Sequence, residues 1–159
     1  MLRKQVGSTR SRESTSFEGE ISIPDVATVQ VTSEEADHPI DNAFDHNRGP
    51  GGSRWIADGP GEQTVILLFD SPQTIRKIGV EVEELAVSRT QELSVSVSSD
   101  GGRTYRELVR QEFNFSPGTS FERELWSAPE GAVTHLRLEI KPEKGGRVGR
   151  ATLTALMLA

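Results

Sequence analysis

No stretch of this chain repeats apolar residues at i, i+3, i+4 and i+7 over the length of a normal helix; its recurrent period is two. Ile78, Val80 and Val82 alternate with Gly79, Glu81 and Glu83, and Leu93, Val95 and Val97 alternate with Ser94, Ser96 and Ser98. Successive strand residues point to opposite faces, so each run predicts a strand with one face buried. Residues 64–69 are almost continuously apolar, as expected of a strand covered on both sides. With Val29 and Val31 and the segments 105–115, 121–126, 133–140 and 151–158, the count reaches about eight. The last of these is apolar on both faces near its end, which predicts a central position. The gaps are too short for crossover helices, so the strands should pair antiparallel, closing either as a jelly-roll sandwich or as a barrel.

At 159 residues the chain has room for one domain. Residues 1–20 are rich in Ser, Thr, Arg and Glu and carry neither period, so a flexible N-terminal tail over 1–20 is expected, followed by a domain over 21–159. Arg3, Lys4, Arg10 and Arg12 against Glu13 make the tail locally basic, and because the whole chain has net charge −6 the body is strongly acidic. Such a body repels a phosphate backbone, which argues against nucleic acid as a partner. The longest apolar run is five residues, far short of a membrane span, and no apolar stretch follows the basic N-terminal residues as a signal peptide requires. The expectation is a cytoplasmic chain, or an extracellular one if it is a processed form. Cysteine is absent, so disulfides, thiolate metal sites and cysteine nucleophiles are excluded together.

Between Ser33 and Glu62 the strand rhythm stops for about thirty residues containing Asp37, His38, Asp41, Asp45, His46 and five glycines. A long segment without strands in a compact domain tends to be functional, so a binding site is expected at this end. The imidazole and carboxylate cluster follows no zinc-ligand spacing, and no nucleophile elbow or phosphate-binding loop is present. The chain therefore reads as a binding protein and not an enzyme. Ser98-Ser99-Asp100-Gly101-Gly102-Arg103-Thr104-Tyr105 predicts a tight hairpin whose Ser and Asp side chains accept bonds from turn amides. It also resembles the Asp-box turn of sugar-handling β proteins, in a single copy.

Taken in order, the segments His38-Pro39-Ile40-Asp41-Asn42-Ala43-Phe44-Asp45 with Trp55, residues 65–78, the Asp100-Gly101-Gly102 hairpin, Thr134-His135-Leu136-Arg137-Leu138-Glu139-Ile140 and the closing apolar strand resemble the discoidin, or galactose-binding-like, domain. The resemblance spans about residues 28–158. It implies an all-β, eight-stranded antiparallel jelly-roll β-sandwich acting as a non-catalytic recognition module. Relatives, among them family 32 carbohydrate-binding modules, use loops at one end to hold sugars, phospholipid head groups or protein partners. The expected ligand is a carbohydrate, with an intracellular protein-interaction adapter as the alternative.

A sugar needs planar donors and carboxylate acceptors beside an apolar face. His46, Arg48, Arg54, Asp58, Arg89 and Arg147 are the candidate ligand-binding residues on that ground, with Arg150 beside them. Trp55 is either core, which is preferred, or a stacking platform. The resemblance also raises a calcium ion, with Asp45 as a ligand. Here His46 stands where the family has Gly, and Ala155 occupies the last-strand position where it has Glu, so the set is one carboxylate short. No other cofactor is implied.

Overall fold

The computed structural model describes residues 17–143 and 149–159. Its chain opens with a turn at 17–20 and a single helical turn, α1 (Ile23–Val26), then runs through β1 (Ala27–Val31), a 3-10 turn (Ile40–Phe44), β2 (Trp55–Pro60), β3 (Gln63–Glu83), β4 (Arg89–Ser98), β5 (Arg106–Phe115), β6 (Phe121–Lys141), β7 (Arg150–Leu153) and β8 (Ala155–Leu158). All pairings are antiparallel, as the short gaps required.

The two longest strands make the sandwich. The first part of β3 pairs with β1 and with the last part of β6, Val65 opposite Leu138 and Leu67 opposite Leu136. Beyond register shifts between Leu68 and Lys77, the same strand pairs with the first part of β6, Val80 opposite Glu124, and with β8, Val80 opposite Leu156. Each strand thus crosses from one sheet to the other around a corner, with Asp70, Ser71 and Pro72 exposed at the bend. One layer has the order β1-β3-β6-β4-β5; the other joins the far halves of β3 and β6 to β8, and β2 pairs with β7 at the side. Val65, Leu67, Ile78, Val80, Val95, Leu136, Leu138 and Leu156, all at most 1% exposed, fill the space between.

This is the jelly-roll sandwich expected, with its strands cut differently. Segments 64–69 and 78–82 are one strand, as are 121–126 and 133–140, because a bend with shifted register preserves most of the ladder where Pro and Gly suggested a turn. The segment 151–158 is two strands. Thr154 leaves the ladder to donate its N–H to Glu81 O at 2.8 Å, so β7 pairs with β2 and β8 with β3. β8 also lies at the edge of its layer, and its apolar outer face is covered by the N-terminal segment: Ile21 N donates to Leu158 O, and Phe17, Leu125 and Met157 converge over Gly79. A Cβ at Gly79 would lie 2.9 Å from each of those three side chains, so glycine there makes room for the Phe17 ring. Of the tail expected over 1–20, residues 17–20 are therefore packed on the body, while 1–16 lie outside the described residues.

At the end opposite the long loop, the Asp100 hairpin closes β4 onto β5 as the sequence suggested. Asp100 Oδ1 accepts from Arg103 N at 3.1 Å and Thr104 N at 2.9 Å, and Oδ2 from Thr104 Oγ1 at 2.6 Å. Ser98 Oγ accepts from Gly102 N at 2.9 Å. These bonds stabilise the ionised carboxylate and hold Asp100 far below the usual carboxylate range, the Thr104 hydroxyl having the largest effect.

Candidate functional site

The loop end carries a cavity of about 450 Å³ between the start of β2, the end of β3, the β3–β4 loop and the start of β7. Its floor is built from the core outward. Trp55 is fully buried and donates its indole N–H to Ser33 O at 2.9 Å, which fixes the long loop against β2 and makes the ring core, not a stacking platform. Thr152 Oγ1 donates to Trp55 O at 2.8 Å, and the buried Gln91 side chain bonds both Thr152 N and Thr152 O. Arg89, whose side chain is 2% exposed, donates through Nε to Glu84 Oε1 at 2.8 Å and through Nη1 to Pro142 O. Glu84 Oε2 accepts from Ala86 N at 2.8 Å, which shapes the β3–β4 loop.

The walls above this floor are aliphatic and charged. Ile56, Ala86 and Val87 supply apolar surface; Arg54, Arg150, Glu83 and Glu143 supply polar groups. Arg54 Nη1 reaches the Glu83 carbonyl at 3.4 Å, and Arg150 Nη1 donates to Glu35 Oε2 at 3.0 Å, leaving most of both guanidinium forks without an acceptor among the described residues. Glu143 Oε2 accepts from Gly149 N at 3.0 Å. Among the described residues of the lining, three arginines stand with three glutamates. Among the described residues no aromatic side chain lines the cavity.

Of the residues singled out in the sequence, Arg54 and Arg89 meet here together with Arg150, and Arg147 lies outside the described residues. His46 is exposed, in the left-handed region at φ 63°, with Nδ1 3.9 Å from Glu20 Oε2. Arg48 is buried, its guanidinium forked onto the Glu20 carboxylate, with Nη1 2.9 Å from Oε1. Asp58 is exposed on β2, where its backbone N–H donates to Ser33 Oγ at 3.2 Å, and it does not line the cavity. Glu83, Glu84, Glu143, Ile56 and Val87 were missed. The Glu-Val-Glu-Glu run at 81–84 ahead of a strand break was the available signal, but alternation assigned those side chains to solvent.

The residues present do not fit calcium. Asp45 spends Oδ1 on Asn47 N at 3.0 Å and Oδ2 on the Ser53 hydroxyl. The other acids facing this loop are equally committed. Glu81, fully buried and directly opposite Ala155, accepts from Gly49 N at 2.8 Å and from Arg123; Glu83 accepts from Gly51 N with both oxygens; Glu20 holds Arg48. Calcium takes six to eight oxygens, and among the described residues no three His, Asp or Glu side chains converge to hold an ion.

No protein-family model matches the sequence, and no curated protein matches it. Solved structures do match in shape. The family 32 carbohydrate-binding module of Clostridium perfringens NanJ, solved with galactose, superposes with a TM-score of 0.60 at 14% identity, over 87% of this chain and 96% of that one. The chain has the discoidin-like, galactose-binding-like fold. Another module of that fold, CpGH89CBM32-5 from Clostridium perfringens with GalNAc-beta-1,3-galactose, gives 0.60 at 19% identity over 88% and 99% of the two chains. A chitosan-binding module from a chitosanase/glucanase of Paenibacillus sp. IK-5 gives 0.57 at 17% over 84% and 94%. At these identities the likeness is one of galactose-binding-like architecture, not of ligand.

Proposed function

We propose that this domain is a non-catalytic carbohydrate-binding module whose ligand seats in the loop-end cavity. The observation that carries the reading is the placing of the Arg54 and Arg150 guanidiniums beside the aliphatic Ile56 and Val87 in one cavity, on the fold shared with sugar-bound modules. Sugar hydroxyls both donate and accept, which suits a lining that sets arginine donors beside glutamate acceptors. Ile56 and Val87 supply the apolar surface and no aromatic ring does among the described residues, so affinity rests on hydrogen bonds and is modest. At about 0.3 kcal/mol per non-hydrogen atom, a hexose gains about 4 kcal/mol, a dissociation constant of about 1 mM.

The test is a glycan-array screen of the domain, displayed multivalently, against its Arg54→Ala and Arg150→Ala variants. Retention on a defined set of neutral glycans, lost in both variants, is the expected result. Retention that survives both substitutions moves the site elsewhere, and no retention on any glycan rejects the reading. A protein-docking role for the same end is favoured by one observation: Leu85 and Val87 on the β3–β4 loop are 64% and 55% exposed. Pull-down with a protein partner that is lost in Leu85→Ser, in a domain silent on glycans, would establish it.

A further inference from the structure

The loop over residues 45–54 reaches the cavity at Arg54, and its backbone is demanding: His46 sits in the left-handed region at φ 63°, and Gly52 packs so close to the Asn47 carbonyl that no Cβ would fit. Such a loop persists only when its surroundings over-determine it. What surrounds it is the outer face of β3, where Glu81 and Glu83 lie under the loop at 0% and 4% exposure. Gly49 N and Gly51 N point down onto those two carboxylates. Arg48, between the glycines and Asp45, turns its guanidinium onto Glu20 of the N-terminal segment, and the Arg48 side chain is 2% exposed. Arg123, the cross-strand partner of Glu81, completes the set of alternating charges.

The geometry points to Arg48 as the built-in cation of this loop: clamped by Glu20, it positions residues 45–54, and through them Arg54. A buried guanidinium forked on a carboxylate supplies fixed charge and two directional bonds, and its loop neighbours Gly49 and Gly51 fasten to Glu81 and Glu83. Arg48 and Glu20 are then positioning residues for the binding end. The clamp concerns loop geometry alone; only its consequence for Arg54 rests on the proposed site.

The test reads the loop without any sugar. Amide hydrogen exchange is followed at Gly49 and Gly51, with the Gly102 and Thr104 amides of the distant hairpin as reference, in the wild-type domain and in Glu20→Gln, with and without millimolar Ca²⁺. Expected are exchange at Gly49 and Gly51 about tenfold or more faster in Glu20→Gln, an unchanged hairpin, and wild-type rates and melting temperature indifferent to Ca²⁺ or a chelator. Glu20→Asp, which keeps the charge, should recover part of the protection. Unchanged exchange in Glu20→Gln, or a saturable rise in wild-type melting temperature with Ca²⁺, overturns the inference. If no glycan binds but the exchange behaves as stated, the clamp stands and the proposed function falls.

Discussion

Arg89 spends its guanidinium on Glu84 and Pro142 O below the cavity, whereas Arg54 makes one 3.4 Å contact and keeps the rest of its fork for the opening. Truncating them should therefore do opposite things. Arg89→Ala strands a largely buried Glu84 carboxylate and should cost about 3 kcal/mol, seen as a lowered urea midpoint, with loss of the cavity's shape. Arg54→Ala should leave the urea midpoint within about 0.5 kcal/mol of wild type while weakening glycan binding about tenfold in calorimetry. Equal effects on stability would show that Arg54 is structural too. Nothing in the sequence separates these two, or Arg48, from one another. What sets Arg48 apart is a glutamate brought by folding, Glu20 from 28 residues away, whereas Arg89 takes Glu84 from five residues away. Trp55 was legible because an indole in a chain with 6% aromatic residues is needed inside.

The Asp100 hairpin was the most readable element, since the Ser98, Asp100 and Thr104 side chains that shape it are sequence neighbours, with only the Thr134 hydroxyl brought from elsewhere. Its chemistry gives a pH prediction. The folded-state pKa of Asp100 is depressed, so its contribution is fully present above the unfolded value of about 4 and is lost as pH falls from there through the folded value. Asp100→Asn should thus lower stability at neutral pH and flatten the acid limb of the stability curve, checked by urea melts between neutrality and about pH 2. An acid limb as steep as wild type would remove the assigned role. The strands β3 and β6 were read in halves because Asp70-Ser71-Pro72 and Pro129-Glu130-Gly131 carry turn chemistry. Turn chemistry marks where a strand bends as well as where it ends, and only the pairing on either side tells the two apart. The outward row Glu81 and Glu83 was misread for a related reason: alternation shows that two faces differ, not that the polar one meets water.

At the scale of the molecule, the sandwich was legible from motif order, and the cavity proposed as the site opens at the end bearing the strandless loop. The third layer over β3, made of residues 17–20 and the 45–54 loop, was not, because it depends on Phe17 seating over Gly79 and on the Glu20–Arg48 pair. A chain starting at Ile21 should accordingly melt about 10 °C below one starting at Phe17, since it strands the buried Arg48 and uncovers β8; equal melting would make the layer an ornament. The proposed function stands or falls with sugar binding in the loop-end cavity. The most direct test is a ¹H–¹⁵N titration of labelled domain with galactose, N-acetylgalactosamine and chitosan oligosaccharides. The account predicts saturable shifts at Arg54, Ile56, residues 84–89 and 149–152 with at least one of them, and none at the Asp100 hairpin. Saturable shifts confined to any other face, or a spectrum unchanged by every sugar, would contradict it.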